Sequence, residues 1–163
     1  MPNTPQIPAP FVSNTMDIKP EWIDFNGHLN MAYYNVLFDN GIGEAYATLG
    51  FGPDYAKTRN HTTYTAEFHL CYVRELHLSD KVKVSTQLID HNDKSFHLYQ
   101  EIRHLDGWLA ATGEALGLHI DMSGPRVARF PDDIARNIAV MQKAHAGLPR
   151  PDRIGRGIKI RHT

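Results

Sequence analysis

The residues best suited to chemistry lie in one short segment, Trp22 to Asn30, between two stretches of apolar sequence. Its polar members include a carboxylate, an imidazole and an amide around a glycine: Asp24, Gly27, His28 and Asn30. A carboxylate beside a carbonyl carbon can activate a water molecule or attack the carbon itself. Asp24 is the one carboxylate of this segment and is therefore the candidate catalytic residue.

A purely structural role fits the same segment. An aspartate followed by Asn26 and Gly27 is typical of a turn in which the carboxylate accepts a backbone hydrogen bond. Gly27 allows either a positive φ or a close approach of a ligand to the backbone. His28 suits loop packing and substrate contact equally, since its neutral and charged forms both exist near neutral pH. The residue types alone therefore leave both turn formation and catalysis open.

The element that follows this segment is predicted to be a long helix. Apolar residues recur at steps of three and four from Met31 to Leu49, as they do on one buried helical face. Asn30 suits the N-cap position, and Gly50 suits the helix end. The first turn of a helix has unpaired N–H groups and a partial positive charge. An amide near Met31 can therefore stabilise an oxyanion.

Later in the chain the apolar period changes to two, which predicts strands. Four such segments follow one another with turns between them, over residues 64–73, 82–88, 96–102 and 108–122, and we expect them to form an antiparallel meander. Residues 11–18 suit a fifth strand, and residues 131–145 a closing helix. This order predicts one α+β domain in which an antiparallel sheet wraps the long helix.

Three regions differ in composition. Residues 1–11 form a proline-rich arm without charged side chains, and we expect it to be extended. Residues 12–146 carry the regular patterns and form the predicted domain. Residues 147–163 are rich in Arg, Lys, Gly and Pro without a clear period, and we expect a C-terminal extension.

Composition narrows the possible partners. The chain has 163 residues, with 17 basic and 18 acidic side chains and a formal net charge of -1, so no general attraction to nucleic acid is expected. It contains no run of about 18 apolar residues, and we expect no membrane span. Cys71 is the single cysteine, which excludes an internal disulfide and fits a reducing, cytoplasmic location.

Two further polar pairs suggest chemistry but fit structural roles better. His119 and Asp121 suggest a metal site, yet the histidines of the chain have no ligand spacing, so we expect no metal. Glu67 and His69 resemble an acid–base pair, but they alternate with the core-facing residues of their strand. We expect them to point away from the core.

The segment from Asp24 through Gly27, His28 and Asn30, followed directly by the helix, resembles the hotdog-fold acyl-CoA thioesterases of the 4-hydroxybenzoyl-CoA thioesterase type. The likeness covers about residues 12–121. It implies a hotdog fold, hydrolysis of an acyl-CoA without a further cofactor, and a homodimer or homotetramer. It also implies that Asp24 is the catalytic carboxylate, as nucleophile or as general base, and that the oxyanion donor lies near Met31.

A closer resemblance is to the betainyl-CoA thioesterases that accompany carnitine dehydrogenase. It rests on residues 22–30, Tyr72 with Glu75, residues 93–94 and the ending at residues 118–121. A betainyl group carries a trimethylammonium cation, which aromatic ring faces bind well. We expect Trp22, Phe25 and Tyr33 to provide such faces, although aromatic residues of this kind more often lie in a core.

The phosphates of CoA imply cationic contacts. Arg59 and Arg74 are the candidates for substrate binding, and Lys81 and Lys83 are further basic side chains that could meet the phosphates. Solvated strand ends explain these charges equally well.

Two other functions fit the same fold. A hydratase or dehydratase would also use an aspartate and a histidine, but the segment lacks the proline of the hydratase motif and its His28 comes one residue too early. A non-catalytic module that binds acyl thioesters would need the polar segment only to cap the helix. Hydrolysis is the preferred interpretation.

Overall fold

The structure, a computed structural model, describes residues 6–162 and consists of a long helix packed on an antiparallel sheet. The helices α1, α2 and α3 comprise Met31–Leu49, Pro53–Arg59 and Asp132–His145. The strands β1 to β7 comprise Phe11–Val12, Met16–Asp17, His61–Tyr72, Lys81–His91, Ser95–His104, Leu109–Asp121 and Arg126–Val127. A 3-10 turn, Pro20–Trp22, leads into the polar segment.

The predicted long helix is confirmed from Met31 to Leu49. Asn30 caps its first turn, because its side chain accepts a hydrogen bond from the Ala32 N–H, and Gly50 ends it with a φ of 98°. The buried face of α1 packs against β4 and β5 of the sheet. At Gly41 the helix comes so close to β4 that an added Cβ would lie 2.5 Å from Val84.

The sheet order is β1-β4-β5-β6-β3, so the predicted four-strand meander is wrong in one respect. The three strands β4, β5 and β6 do form a meander, but β3 pairs with β6 at the far edge and not with β4. The segment between β3 and β4 is long enough to cross the end of the sheet. Leu76 in the middle of this segment is fully buried and anchors the crossing.

The predicted fifth strand over residues 11–18 is present as two short pieces, β1 and β2, which both pair with β4. Residues 1–5 of the proline-rich arm lie outside the described residues. The rest of the arm packs on the domain, because Ile7 is buried in the core and Pro8 O accepts a hydrogen bond from His145 Nε2 at 2.8 Å.

Candidate active site

The polar segment folds as a tight loop at the entrance to α1. A bridge between Ile23 and Leu29 closes its base. The Asp24 N–H donates to His28 O at 3.1 Å, and the Gly27 N–H donates to Asp24 O at 3.0 Å. Gly27 has a φ of 81°, a conformation that a residue with a Cβ adopts only under strain.

Asp24 forms the hydrogen-bonded turn that a structural role predicts, and it also lines a pocket. Its Oδ1 accepts a hydrogen bond from the Asn26 N–H at 2.8 Å, and within residues 6–162 its Oδ2 has no donor. The Asp24 side chain is half-buried and has no ion-pair partner within residues 6–162. The carboxylate therefore holds the loop with one oxygen and has the second available to a ligand.

The pocket beside this carboxylate has a volume of about 430 Å³. The loop, the start of α1 and the end of β3 form its walls: Asp24, Asn26, His28, Leu29, Asn30, Met31, Tyr34, Tyr72, Val73, Arg74 and Glu75. Four of the five predicted catalytic residues line it, and Gly27 lies in the same loop. The structure thus brings together the residues that the sequence singled out, while their catalytic roles stay a prediction.

The first amides of α1 differ in their partners. The Ala32 N–H donates to Asn30 Oδ1 and the Tyr33 N–H donates to Asn30 O, both at 3.0 Å. The Met31 N–H has no acceptor among the described residues. An unpaired amide at a helix N-terminus is a suitable donor to an oxyanion.

Two tyrosines connect the walls of the pocket. The sequence pattern did not predict these contacts. The Tyr72 O–H donates to Met31 O at 3.0 Å, and the Tyr34 O accepts from the Leu76 N–H at 3.1 Å. Their rings meet edge to face with centroids 5.1 Å apart. Burial raises the pKa of both phenols, so both stay protonated at neutral pH. A signal for Tyr34 was its helical spacing of three from Met31.

The aromatic residues predicted to bind the cation do not surround this pocket. Trp22 is buried and stacks on Tyr33 with ring centroids 5.5 Å apart, while Lys19 Nζ lies 5.1 Å from the Trp22 ring centre. Phe25 is 98% exposed at the tip of the loop. Tyr34 and Tyr72 provide the aromatic walls instead.

The two predicted arginines have different environments. Arg74 lines the pocket, and its guanidinium lies 4.1 Å from the centre of the Trp108 ring. Arg59 binds both carboxylate oxygens of Asp133 at 2.8 and 2.6 Å and thereby ties α2 to α3, away from the pocket. This ion pair lowers the pKa of Asp133.

The other polar pairs have structural partners. His119 donates through Nδ1 to Ala128 O at 2.9 Å, and its Nε2 accepts from the Tyr55 O–H at 2.8 Å. Burial lowers the pKa of His119. Glu67 and His69 point away from the core, as expected, into a surface pocket on the outer face of the sheet. Over residues 6–162, no group of three or more His, Cys, Asp or Glu side chains is placed to hold a metal ion.

Comparison with known proteins identifies the family. Residues 18–138 match the family described as the thioesterase-like superfamily. The chain belongs to this superfamily. A betainyl-CoA thioesterase from Pseudomonas aeruginosa is 31% identical to it over 149 residues, which cover 88% of this chain and 91% of the relative.

Two further similar proteins support the assignment of this chain to the thioesterase-like superfamily. An L-carnitine dehydrogenase/betainyl-CoA thioesterase from Agrobacterium fabrum is 30% identical over 85% of the chain, which matches 28% of that longer protein. A Staphylococcus aureus protein solved in complex with CoA has a TM-score of 0.88 and 28% identity, covering 96% of this chain and 98% of that one. The predicted hotdog fold and thioester-hydrolase class are confirmed.

Among the described residues no helix is both long and apolar enough to cross a membrane. None of the relatives reported above is named as a hydratase or dehydratase.

Proposed function

We propose that this thioester hydrolase acts on a small acyl-CoA, with betainyl-CoA as its substrate. The observation that carries the proposal is that one pocket is lined both by Asp24 and by Met31, whose N–H has no acceptor among the described residues. The P. aeruginosa relative is named for this substrate, and the S. aureus structure was solved with CoA bound. The reaction requires no group beyond the CoA that the substrate itself carries.

The proposed chemistry follows from these positions. The thioester oxygen accepts a hydrogen bond from the Met31 N–H, where the partial positive charge of the helix end stabilises the developing oxyanion. Asp24 then either takes a proton from an attacking water or attacks the carbonyl carbon itself. In the first route water adds to the carbonyl carbon, the carbon–sulfur bond breaks, and the proton taken by Asp24 passes to the CoA thiolate. In the second route loss of the CoA thiolate leaves a mixed anhydride with Asp24, which water hydrolyses to the acid and the free carboxylate, releasing the proton that the thiolate takes up.

The walls of the pocket favour a cationic acyl group. Asp24 and Glu75 give the pocket two carboxylates, and the Tyr72 ring is about half exposed. Carboxylates and ring faces attract a trimethylammonium group, which has no hydrogen-bond donor of its own. Arg74 lines the same pocket, stacked on Trp108, and is available to an anionic part of the substrate.

An oligomer is part of the proposal. β3 is the terminal strand of the sheet and leaves one row of backbone groups unpaired within the described chain. Met31, Val36 and Tyr64, on α1 and β3, are exposed apolar side chains. An open strand edge beside such residues suits pairing with a second copy. We expect a solution mass of at least twice the 18.5 kDa of the chain, measured by sedimentation.

A panel of acyl-CoAs tests the function. A thiol reagent reports free CoA, and we expect faster release from betainyl-CoA than from 3,3-dimethylbutanoyl-CoA, its uncharged isostere. Loss of enoyl absorbance on an enoyl-CoA would instead indicate a hydratase. Binding of acyl-CoA without either reaction would indicate a non-catalytic module. Equal rates on the charged and uncharged substrates would contradict betainyl specificity but not hydrolysis.

A further inference from the structure

The C-terminal extension crosses the outer face of the sheet, on the side away from α1. Gln87 Nε2 donates to Pro149 O at 3.4 Å above β4. The Gly155 N–H donates to both carboxylate oxygens of Glu114 at 2.9 and 3.2 Å above β6. The residues after Gly155 lie beside β3. The extension is thus held against the sheet at two points before it reaches the edge strand.

A cationic pocket of about 270 Å³ lies where the extension meets β3. The β3 wall consists of residues 69–72, and the extension contributes four basic side chains: Arg153, Arg156, Lys159 and Arg161. No carboxylate is among the residues that line this pocket.

These four basic side chains have no ion-pair partners within residues 6–162. Arg156 also lines the adjoining pocket that contains Glu67 and Glu114, where Glu114 accepts a hydrogen bond from His97 Nε2 at 2.7 Å. Like charges that share a pocket repel one another, and a bound anion relieves this repulsion. Guanidinium groups bind phosphate through paired N–H donors.

The cationic pocket, on the outer face of the sheet, shares one lining residue with the Asp24 pocket at the start of α1. Tyr72 lines both, at the end of β3. From Tyr72 the cationic pocket extends back along β3 to His69, a distance of about 10 Å at the rise of an extended strand. A substrate with its thioester near Asp24 can therefore reach the basic side chains when its long flexible arm passes around Tyr72 at the end of the edge strand β3.

We propose that the C-terminal extension binds the phosphate groups of CoA through Arg153, Arg156, Lys159 and Arg161. This inference rests on the proposed function, because it assumes that the thioester lies in the Asp24 pocket. It assigns phosphate binding to a segment that the sequence left without a role. It also explains how CoA is bound although Arg59 is engaged by Asp133.

A charge-reversed double variant, Arg156→Glu/Lys159→Glu, tests the proposal. We expect KM for the acyl-CoA to rise by about tenfold or more with kcat unchanged, because charge-assisted contacts to phosphate are lost. The same acyl group on pantetheine lacks the nucleotide phosphates, and its kcat/KM should stay at the wild-type value. Raising the salt concentration should increase the wild-type KM more than that of the variant.

The matched control is Arg136→Glu/Lys143→Glu on α3, which makes the same change in net charge at two other exposed positions. It should leave KM for both substrates unchanged. Equal losses on acyl-CoA and acyl-pantetheine, or an equal effect of the control variant, would overturn the phosphate site. Direct calorimetry of CoA binding to wild type and variant separates the two proposals. If no thioester is hydrolysed but CoA binding still weakens in the variant, the function fails and the site stands.

Discussion

At the scale of single residues, the structural and the chemical interpretations of Asp24 are compatible. Oδ1 accepts a hydrogen bond from the Asn26 N–H and shapes the loop, while the side chain as a whole lines the pocket. Asn30 acts in the same way, because it caps α1 and thereby orients the amides that begin the helix. Residues that build the loop are in this way also the proposed catalytic residues.

Glu75 tests the preference for a cationic acyl group. Glu75→Gln keeps the size of the side chain but removes its charge, so we expect kcat/KM for betainyl-CoA to fall by about five- to tenfold. Hydrolysis of 3,3-dimethylbutanoyl-CoA should not change. Glu21→Gln, at an exposed position outside the pocket, is the matched control. A parallel loss on both substrates would refute a role of Glu75 in recognising the cation.

The sequence predicted the residues of the loop but not the aromatic walls of the pocket. Asp24, His28 and Asn30 are adjacent in the chain, so their proximity follows from a local turn. Tyr72 lies 41 residues after Met31, whose carbonyl oxygen accepts its hydrogen bond. Such a contact depends on where β3 lies in the sheet. Trp22 is near Asp24 in sequence, yet its apolar ring packs into the core.

At the scale of elements, the position of α1 depends on close packing against β4. Gly41 is buried at this contact, and the facing Val84 is fully buried. Gly43 lies two residues further along the same helix, is exposed, and has no atom within 4 Å of a Cβ built on it. An alanine substitution should therefore destabilise the protein at Gly41 and stabilise it at Gly43.

We expect Gly41→Ala to lower the free energy of unfolding by about 1–3 kcal/mol, because the new methyl group overlaps Val84. Gly43→Ala should raise it by about 0.5–1 kcal/mol, because alanine is the better helix former. Urea denaturation monitored by circular dichroism measures both values. Equal effects of the two substitutions would contradict the close approach of α1 to β4 at Gly41.

The helices and strands could be predicted from the sequence better than the pairing of the strands. The periods of α1 and of the long strands are local properties of the chain, and the structure confirms them. Which strand lies beside β3 is decided by the crossing at Leu76, where the Leu29 N–H donates to Leu76 O at 2.7 Å. The available signal for a crossing was a pair of leucines, Leu76 and Leu78, among polar residues, of which only Leu76 is buried.

At the scale of the whole molecule, one buried histidine connects three distant parts of the chain. His145 Nδ1 accepts from the Leu88 N–H at 2.9 Å, and His145 Nε2 donates to Pro8 O at 2.8 Å. These bonds join α3, β4 and the N-terminal arm. They require the neutral imidazole, since a protonated Nδ1 could no longer accept. Burial lowers the pKa of His145, in agreement with this pattern.

We expect stability to fall as the pH drops below about 6.5, the usual pKa of an unfolded histidine. Below this value the unfolded chain binds a proton that folded His145 resists, at a cost of at most about 1.4 kcal/mol per pH unit. Above about pH 6.5, His145 is neutral in both the folded and the unfolded chain, so this cost is absent. Thermal unfolding between pH 7.5 and 5.5 should show a shallower decline for His145→Gln than for wild type. Equal slopes would contradict the assignment.

In the proposed function, Asp24 cleaves a thioester beside the first amides of α1. The most direct measurement is CoA release from betainyl-CoA by Asp24→Asn, compared with wild type and with Asp54→Asn at an exposed position of α2. We expect kcat/KM to fall by at least about 100-fold in Asp24→Asn alone, with Tm unchanged. Undiminished CoA release by a folded Asp24→Asn protein would contradict the account.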